Sequence, residues 1–152
     1  MPTPRDFFIN LVLKRPARKL TYADLIARLE RGDGRIRARI VRAMPSMDNS
    51  NALRHITGIE RWGQRRLRTI LGEPPTTDEY DGYRPDPATD WPALRDEWAA
   101  TRRETIALTR QIAAAGINDG TKAQHNSLGD FTARDWLVYL SAHASREAFR
   151  IR

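Results

Sequence analysis

The sequence predicts an all-α fold, a four-helix bundle behind a short N-terminal arm. Apolar residues recur at helical spacing in four stretches, segments rich in proline and glycine interrupt them, and no convincing alternation of apolar and polar residues marks a strand. With 152 residues, 40% of them apolar, the chain can bury the core of one domain. The expected division is an arm over residues 1–20 and a single bundle domain over 21–152.

Residues Met1 to Lys19 hold three prolines and the apolar group Phe7, Phe8, Leu11 and Val12, which reads as an arm with one short helix. From Thr21 an apolar stripe through Tyr22, Leu25, Ile26, Leu29, Ile36, Ile40 and Met44 keeps its register across Gly32, Asp33 and Gly34. This predicts one helix with a soft middle, ended by Pro45, with a break into two helices as the alternative. Asn49 or Ser50 can cap a second helix that runs to Leu71, where Gly72, Pro74 and Pro75 stop it. Gly72 to Thr89 reads as the longest irregular connection. Asp90 caps a third helix, with Pro92 in its first turn and Gly116 at its end. Ile117 to Phe131 reads as polar loop, and Thr132 with Asp135 forms a capping box that opens a fourth helix to the C-terminus.

Composition removes several kinds of chemistry. With no cysteine there is no disulfide, no Cys-ligated zinc, no iron–sulfur cluster and no thiol nucleophile. A metal would have to be held by carboxylates and the three histidines. No apolar run approaches the roughly 20 residues of a membrane-spanning helix, and Met1 to Asn10 lacks the long apolar centre of a secretory signal, so the expected location is cytoplasmic, with no membrane partner. The formal charge is +7, and 23 of the 26 basic residues are arginine. That balance permits phosphate contacts without requiring them.

Helical wheels give the finer reading. On the second helix Ala52, Ile56, Ile59, Gly63 and Ile70 form the apolar face, and Arg54, Arg61, Arg65 and Arg68 gather opposite them as a solvated face. His55 and Trp62 lie at the border. On the fourth helix the stripe Trp136, Leu140, Ala144, Ala148 and Ile151 is bordered by Tyr139, His143, Glu147 and Arg150. His143 and Glu147 are four residues apart and can reach one ion, and His55 on a neighbouring helix would complete a three-ligand set. Two imidazoles and a carboxylate leave coordination positions open, as catalytic Zn or non-haem Fe(II) requires. The competing reading is a surface His–Glu pair and a hydrogen-bonded border histidine. His125 is expected to be exposed in the polar loop, Arg66 to snorkel at the bundle edge, and Trp62, Trp91, Trp98 and Trp136 to pack in the core or at a dimer contact.

The run Leu53-Arg54-His55-Ile56-Thr57-Gly58-Ile59-Glu60-Arg61-Trp62 resembles the second helix of the DinB-like (YfiT-like) metal-binding four-helix bundles. His125-Asn126-Ser127-Leu128-Gly129, followed by Trp136-Leu137 and His143 to Ile151, resembles that family's closing segment, and the likeness extends over about Thr21 to Arg152. The resemblance implies one divalent ion, Zn, Ni, Fe or Mn, held at His55, His143 and Glu147. At the last of these positions the family usually has histidine. Relatives that act with mycothiol or bacillithiol imply a thiol-dependent transferase or isomerase that takes a small-molecule substrate with a low-molecular-weight thiol as cosubstrate. A hydrolase acting on a small electrophile is the other enzymatic expectation, and a homodimer is the expected assembly.

The leading expectation is therefore a metal-dependent enzyme in which Arg150 and Tyr139 orient an anionic substrate. Arg66 also falls near His55 on the wheel. The alternatives are a metal-free bundle serving as a dimeric interaction protein, which Glu147 favours, and a basic nucleic-acid binder using the second-helix arginines with Arg35, Arg39 and Arg42. Acids are interspersed among those arginines and no DNA-binding motif accompanies them, so nucleic acid is not an expected partner.

Overall fold

The computed structural model describes all residues, Met1–Arg152. The arm comprises α1 (Pro4–Ile9), a π-helical turn at Asn10–Lys14 and α2 (Arg15–Lys19), so it is helical for longer than the sequence predicts. The π turn precedes Pro16, which has no N–H to return to the Val12 carbonyl, and the hydrogen-bond pattern shifts there. Ile9, Leu13 and the buried Ala17 hold the arm on the core, leaving Phe7, Phe8, Leu11 and Val12 exposed.

Four long helices make the bundle: α3 (Tyr22–Arg42), α4 (Met47–Ile70), α5 (Trp91–Ala115) and α6 (Ala133–Glu147). The all-α expectation holds, and α3 passes Gly32 and Gly34 without a break. Thr21 and Asp24 close a capping box at its start, with hydrogen bonds of 2.9 and 3.0 Å. The α4 cap is Ser46, not Asn49 or Ser50. Its hydroxyl accepts from the Asn49 N–H at 3.1 Å, which frees the Asn49 side chain to donate to the Met44 and Arg152 carbonyls. Asp90 caps α5, and the Thr132–Asp135 box opens α6. Beyond Glu147 the chain tightens into a 3₁₀ turn, Ala148–Arg150.

The predicted loop before α6 is instead a hairpin. β1 (Lys122–His125) pairs antiparallel with β2 (Gly129–Thr132), from Lys122 opposite Thr132 to His125 opposite Gly129. Strands of four residues in a polar stretch are too short to show alternation in sequence. The Gly72–Thr89 connection carries one 3₁₀ turn, Tyr80–Tyr83.

Helices α3 and α4 each pack on both α5 and α6. The apolar core falls into two clusters, one around Leu29, Trp62, Phe131 and Trp136 and the other around Ile36, Leu53, Trp91 and Trp98. Between them runs a buried polar layer. Arg102 Nη2 donates to Glu60 Oε2 at 3.2 Å, Arg102 Nη1 to the Leu29 carbonyl at 3.2 Å, and Thr105 Oγ1 to Glu60 Oε1 at 2.8 Å. The Arg102 guanidinium also lies over the Trp98 ring, 4.8 Å from its centroid. Three helices are tied at one level by groups that would be costly to leave unpaired.

Two glycines of α4 mark close approaches. A Cβ at Gly63 would stand 2.5 Å from Leu140 Cδ2 on α6, and one at Gly58 would stand 2.8 Å from Arg84 Cγ and 3.3 Å from Arg84 Cα. Gly34 on α3 faces nothing within 4 Å. Gly63→Ala should therefore destabilise the protein by roughly 1–3 kcal/mol through overpacking, whereas Gly34→Ala should stabilise it by about 1 kcal/mol through helix propensity. Urea denaturation followed by helical circular dichroism reads both, and equal effects of the two variants would contradict this packing.

Candidate metal centre

The approach at Gly63 brings the borders of α4 and α6 together, and at that border the His55 and His143 rings lie side by side, their centroids 5.1 Å apart and their planes inclined at 59°. The approach at Gly58 brings the connection down on α4, so that Tyr80 stands edge-on to His55 at 5.7 Å. On the other flank Tyr139 lies 5.9 Å from His143 and Trp136 continues the aromatic row. His143 is buried and His55 half-buried.

Burial sets the protonation states. Desolvation holds His143 down at about 4, the neighbouring His55 adds to the effect, and the Glu147 carboxylate opposes it. Desolvation also lowers His55; Glu147 works against it, while Arg84 and Arg150 push the same way as burial. For Glu147 desolvation is the largest single effect and raises it, but the hydrogen bond from Arg150 and the charges of its neighbours together outweigh it, so its carboxyl lies below the usual range. Burial raises the Tyr139 phenol to about 12, which keeps it a donor rather than a base.

Two neutral imidazoles and an ionised carboxylate are the protonation states a divalent cation needs in its ligands. In this respect the donor set fits. The carboxylate, however, is engaged elsewhere: Arg150 Nη1 donates to Glu147 Oε2 at 3.0 Å, and Arg146 Nη2 lies 3.3 Å from Oε1. As the side chains stand, no three His, Asp or Glu groups converge to hold an ion. The geometry therefore brings together His55 and His143, with Glu147 one helical turn on and paired to Arg150.

A cavity of about 1130 Å³ opens against His55, with Arg54, Arg84, Arg150 and Arg152 in its walls beside Asp48 and Asp81. Arg54 is anchored to the Pro87 and Thr89 carbonyls, both at 2.8 Å, and Arg84 lies over Tyr80 and 3.2 Å from Asp81. Neither Tyr80 nor Arg84 is a site residue in the sequence reading. The available signal was a pair of tyrosines, Tyr80 and Tyr83, in an otherwise polar, Pro/Gly-rich connection.

Other expectations are corrected. His125 is buried, 6% exposed, at the end of β1. It is stacked on Trp136 at 5.3 Å and set against Trp62 and Tyr139. Its Nδ1 accepts the Ser127 N–H at 3.3 Å, and its Nε2 has no partner. Arg66 does not snorkel. It is 1% exposed, stacked on Trp62, and donates to Asp78 Oδ1 at 2.8 Å and to the Gln124 carbonyl at 3.1 Å, joining α4 to the connection and the hairpin. The α4 arginine row is likewise not a free face. Arg61 pairs with Glu97 at 2.6 Å, Arg68 with Glu104 at 2.7 Å, and Arg65 with Glu73 at 3.5 Å. All four tryptophans are buried.

An all-α bundle with paired histidines on facing helices beside an arginine-lined cavity defines the class. The sequence model of the DinB superfamily matches residues 41–146, and the chain belongs to that superfamily. No curated protein and no solved structure matches it.

Desolvation and the nearby Arg66 charge hold His125 at about 4, whereas an unfolded histidine titrates near 6.5. The unfolded chain therefore binds the proton first. His125's contribution to stability is complete above about pH 6.5 and declines as the pH falls toward 4. Through that window it should add a slope approaching ~1.4 kcal/mol per pH unit. Urea midpoints of wild type and His125→Phe across the window should diverge as the pH falls, the variant losing less stability. Parallel curves would contradict a buried neutral His125.

Proposed function

We propose that this bundle is a metal-dependent enzyme, with one divalent ion, Zn, Ni, Fe or Mn, held by His55, His143 and Glu147. Its activity would be attack by water or a low-molecular-weight thiol on a small electrophile. The observation that carries this reading is the pair of desolvated, neutral imidazoles set side by side on facing helices at the edge of an arginine-walled cavity. When bound, the ion supplies a Lewis acid that makes water or a thiol a better nucleophile near neutrality. The chain has no cysteine, so a thiol would have to arrive as cosubstrate. Arg150 and Arg84 would hold an anionic group of the substrate by charge-assisted hydrogen bonds. Tyr139, protonated at neutral pH, would donate a hydrogen bond, and Tyr80 would shield His55 from water. Glu147 would exchange Arg150 for the ion.

The Glu147–Arg150 hydrogen bond favours a second reading. In it the carboxylate belongs to the guanidinium, the histidines are structural, and the bundle is metal-free and works as an interaction protein.

Titration of chelator-treated, untagged protein with Zn, Ni, Mn and Fe(II) separates the two. The metal reading expects one ion per chain, its loss in His55→Ala, more than a tenfold weaker affinity in Glu147→Gln, and retained or stronger Zn and Ni binding in Glu147→His. Removing Arg150's competition in Arg150→Gln should strengthen binding. Absence of stoichiometric binding in wild type, with helical circular dichroism intact, would establish the metal-free reading instead.

A further inference from the structure

Of the α4 arginines, Arg61, Arg65 and Arg68 have acidic partners and Arg54 is held by backbone carbonyls; four arginines along the outer face of α3 have neither. The ion pairs of α3 are Arg37–Asp33 and Glu30–Arg110, and Arg39 donates to the Ile151 carbonyl. Arg28, Arg31, Arg35 and Arg42 are left without a carboxylate. At about 100° per residue these four fall within roughly 60° of one another, a straight line about 21 Å long on one helix face. Arg28, Arg31 and Arg35 line a groove of about 560 Å³ with Leu20, Ala27 and Asp24. Asp24, the one acid in the groove, accepts the Thr21 N–H at 2.9 Å in the capping box. At the groove's end the exposed Arg18 and Lys19 extend the positive surface.

Like charges at i,i+3 and i,i+4 on a helix repel and destabilise it by a few tenths of a kcal/mol per pair. In α3 Asp24 stands on the same face at the start of the line and is coupled to the Arg31 charge, but Glu30 and Asp33 lie on other faces, so one acid offsets four arginines and most of this repulsion remains. An external polyanion would relieve it. We infer that the outer face of α3 is a binding track for the phosphate backbone of duplex nucleic acid.

Guanidinium groups bind phosphate oxygens bidentately. Successive arginines rise about 4.5 to 10.5 Å along the axis, a repeated spacing of positive charge to set against a duplex that carries a phosphate of each strand about every 3.4 Å of its own axis. Four contacts in a line suit a regular linear polyanion better than a compact anion. The one large apolar side chain in the groove, Leu20, is partly buried against the core, and Val41, exposed on the same helix, lies off the line, so the track offers little to enter a lipid surface. It also carries no aromatic ring to stack on a base, so the binding it offers is independent of base sequence. The inference does not depend on the metal site.

The test is fluorescence anisotropy of a labelled duplex oligonucleotide with the full chain over a salt series. Binding should appear at about 50 mM salt and weaken steeply, with log K falling against log salt at a slope of about −3 to −4 for four contacts. Replacing Arg28, Arg31 and Arg35 together by Gln should weaken binding at least tenfold and flatten the slope by nearly 3. The same three changed to Lys should retain most of it. Replacing Arg37, Arg103 and Arg110 by Gln removes the same net charge from other exposed positions and should leave most binding intact. Circular dichroism confirms that each variant is folded. No duplex binding at low salt, equal losses in the two Gln triples, or binding to phosphatidylglycerol vesicles without binding to duplex would each overturn the inference.

Discussion

The site depends on how closely other parts of the chain approach α4. Helix axes normally stand 8–10 Å apart because side chains fill the space between them. At Gly63 there is no side chain, and Leu140 of α6 occupies the volume a Cβ would take. At Gly58, one turn past His55, the Arg84 side chain does the same from the connection, with its Cα close behind. Each glycine weakens the helix locally by about 1 kcal/mol relative to alanine, and packing gained across the gap offsets that cost. The result is a border where two histidines from different helices meet under a tyrosine delivered by a loop.

This arrangement explains which features were legible in the sequence. Helix starts at Thr21, Asp90 and Thr132 depend on short-range hydrogen bonds within four residues, and a sequence displays these directly. The placement of His55, His143 and Glu147 at core borders follows from periodicity alone. Whether Glu147 faces the rings or Arg150 is a rotamer choice between nearby charges, and periodicity carries no information on it. Long-range partners were equally hidden. The α4 arginines read as a solvated face because Glu97 and Glu104 come from another helix, and His125 read as exposed because the hairpin and aromatic cluster that bury it form only in three dimensions. Ser46 and Asn49 offer the same capping chemistry three residues apart, and the sequence alone does not choose between them. Asn49 uses that chemistry to fasten the C-terminal end of the chain to the 43–46 link instead.

Arginine serves three distinct purposes in this chain. Arg102 and Arg66 are interior residues, each with its guanidinium plane on a tryptophan and its N–H groups on oxygens from distant segments, a role that the lysine ammonium cannot fill. Arg61, Arg65 and Arg68 are half-exposed and pair with acids, with little expected for stability from each. Arg84 and Arg150 face the cavity beside His55, where their charge lowers the affinity of that imidazole for protons. An excess of positive charge read from composition is therefore a poor guide to binding until the internally paired arginines are set aside.

The histidine pair stands out against the rest of the interior. Buried polar side chains are satisfied almost throughout: Glu60 by Arg102 and Thr105, Gln64 by Thr105 and the Thr101 carbonyl, and Asn49 by two chain segments. Arg102 Nε, 2.9 Å from Glu60 Oε1 but poorly aligned, and His125 Nε2 are the fully buried exceptions. His125 is nevertheless surrounded by aromatic faces, to which an N–H can donate weakly. His143 has lost most of its water, its flanking rings are His55 and Tyr139, and the nearest charge opposing its desolvation, Glu147, is held by Arg150. Packing alone would be served as well by a leucine or phenylalanine at this border, with no polar group to desolvate. The imidazoles instead have no hydrogen-bond partner in the fold, and His55 borders the arginine-walled cavity. This departure from the well-satisfied interior is the kind that a ligand would resolve.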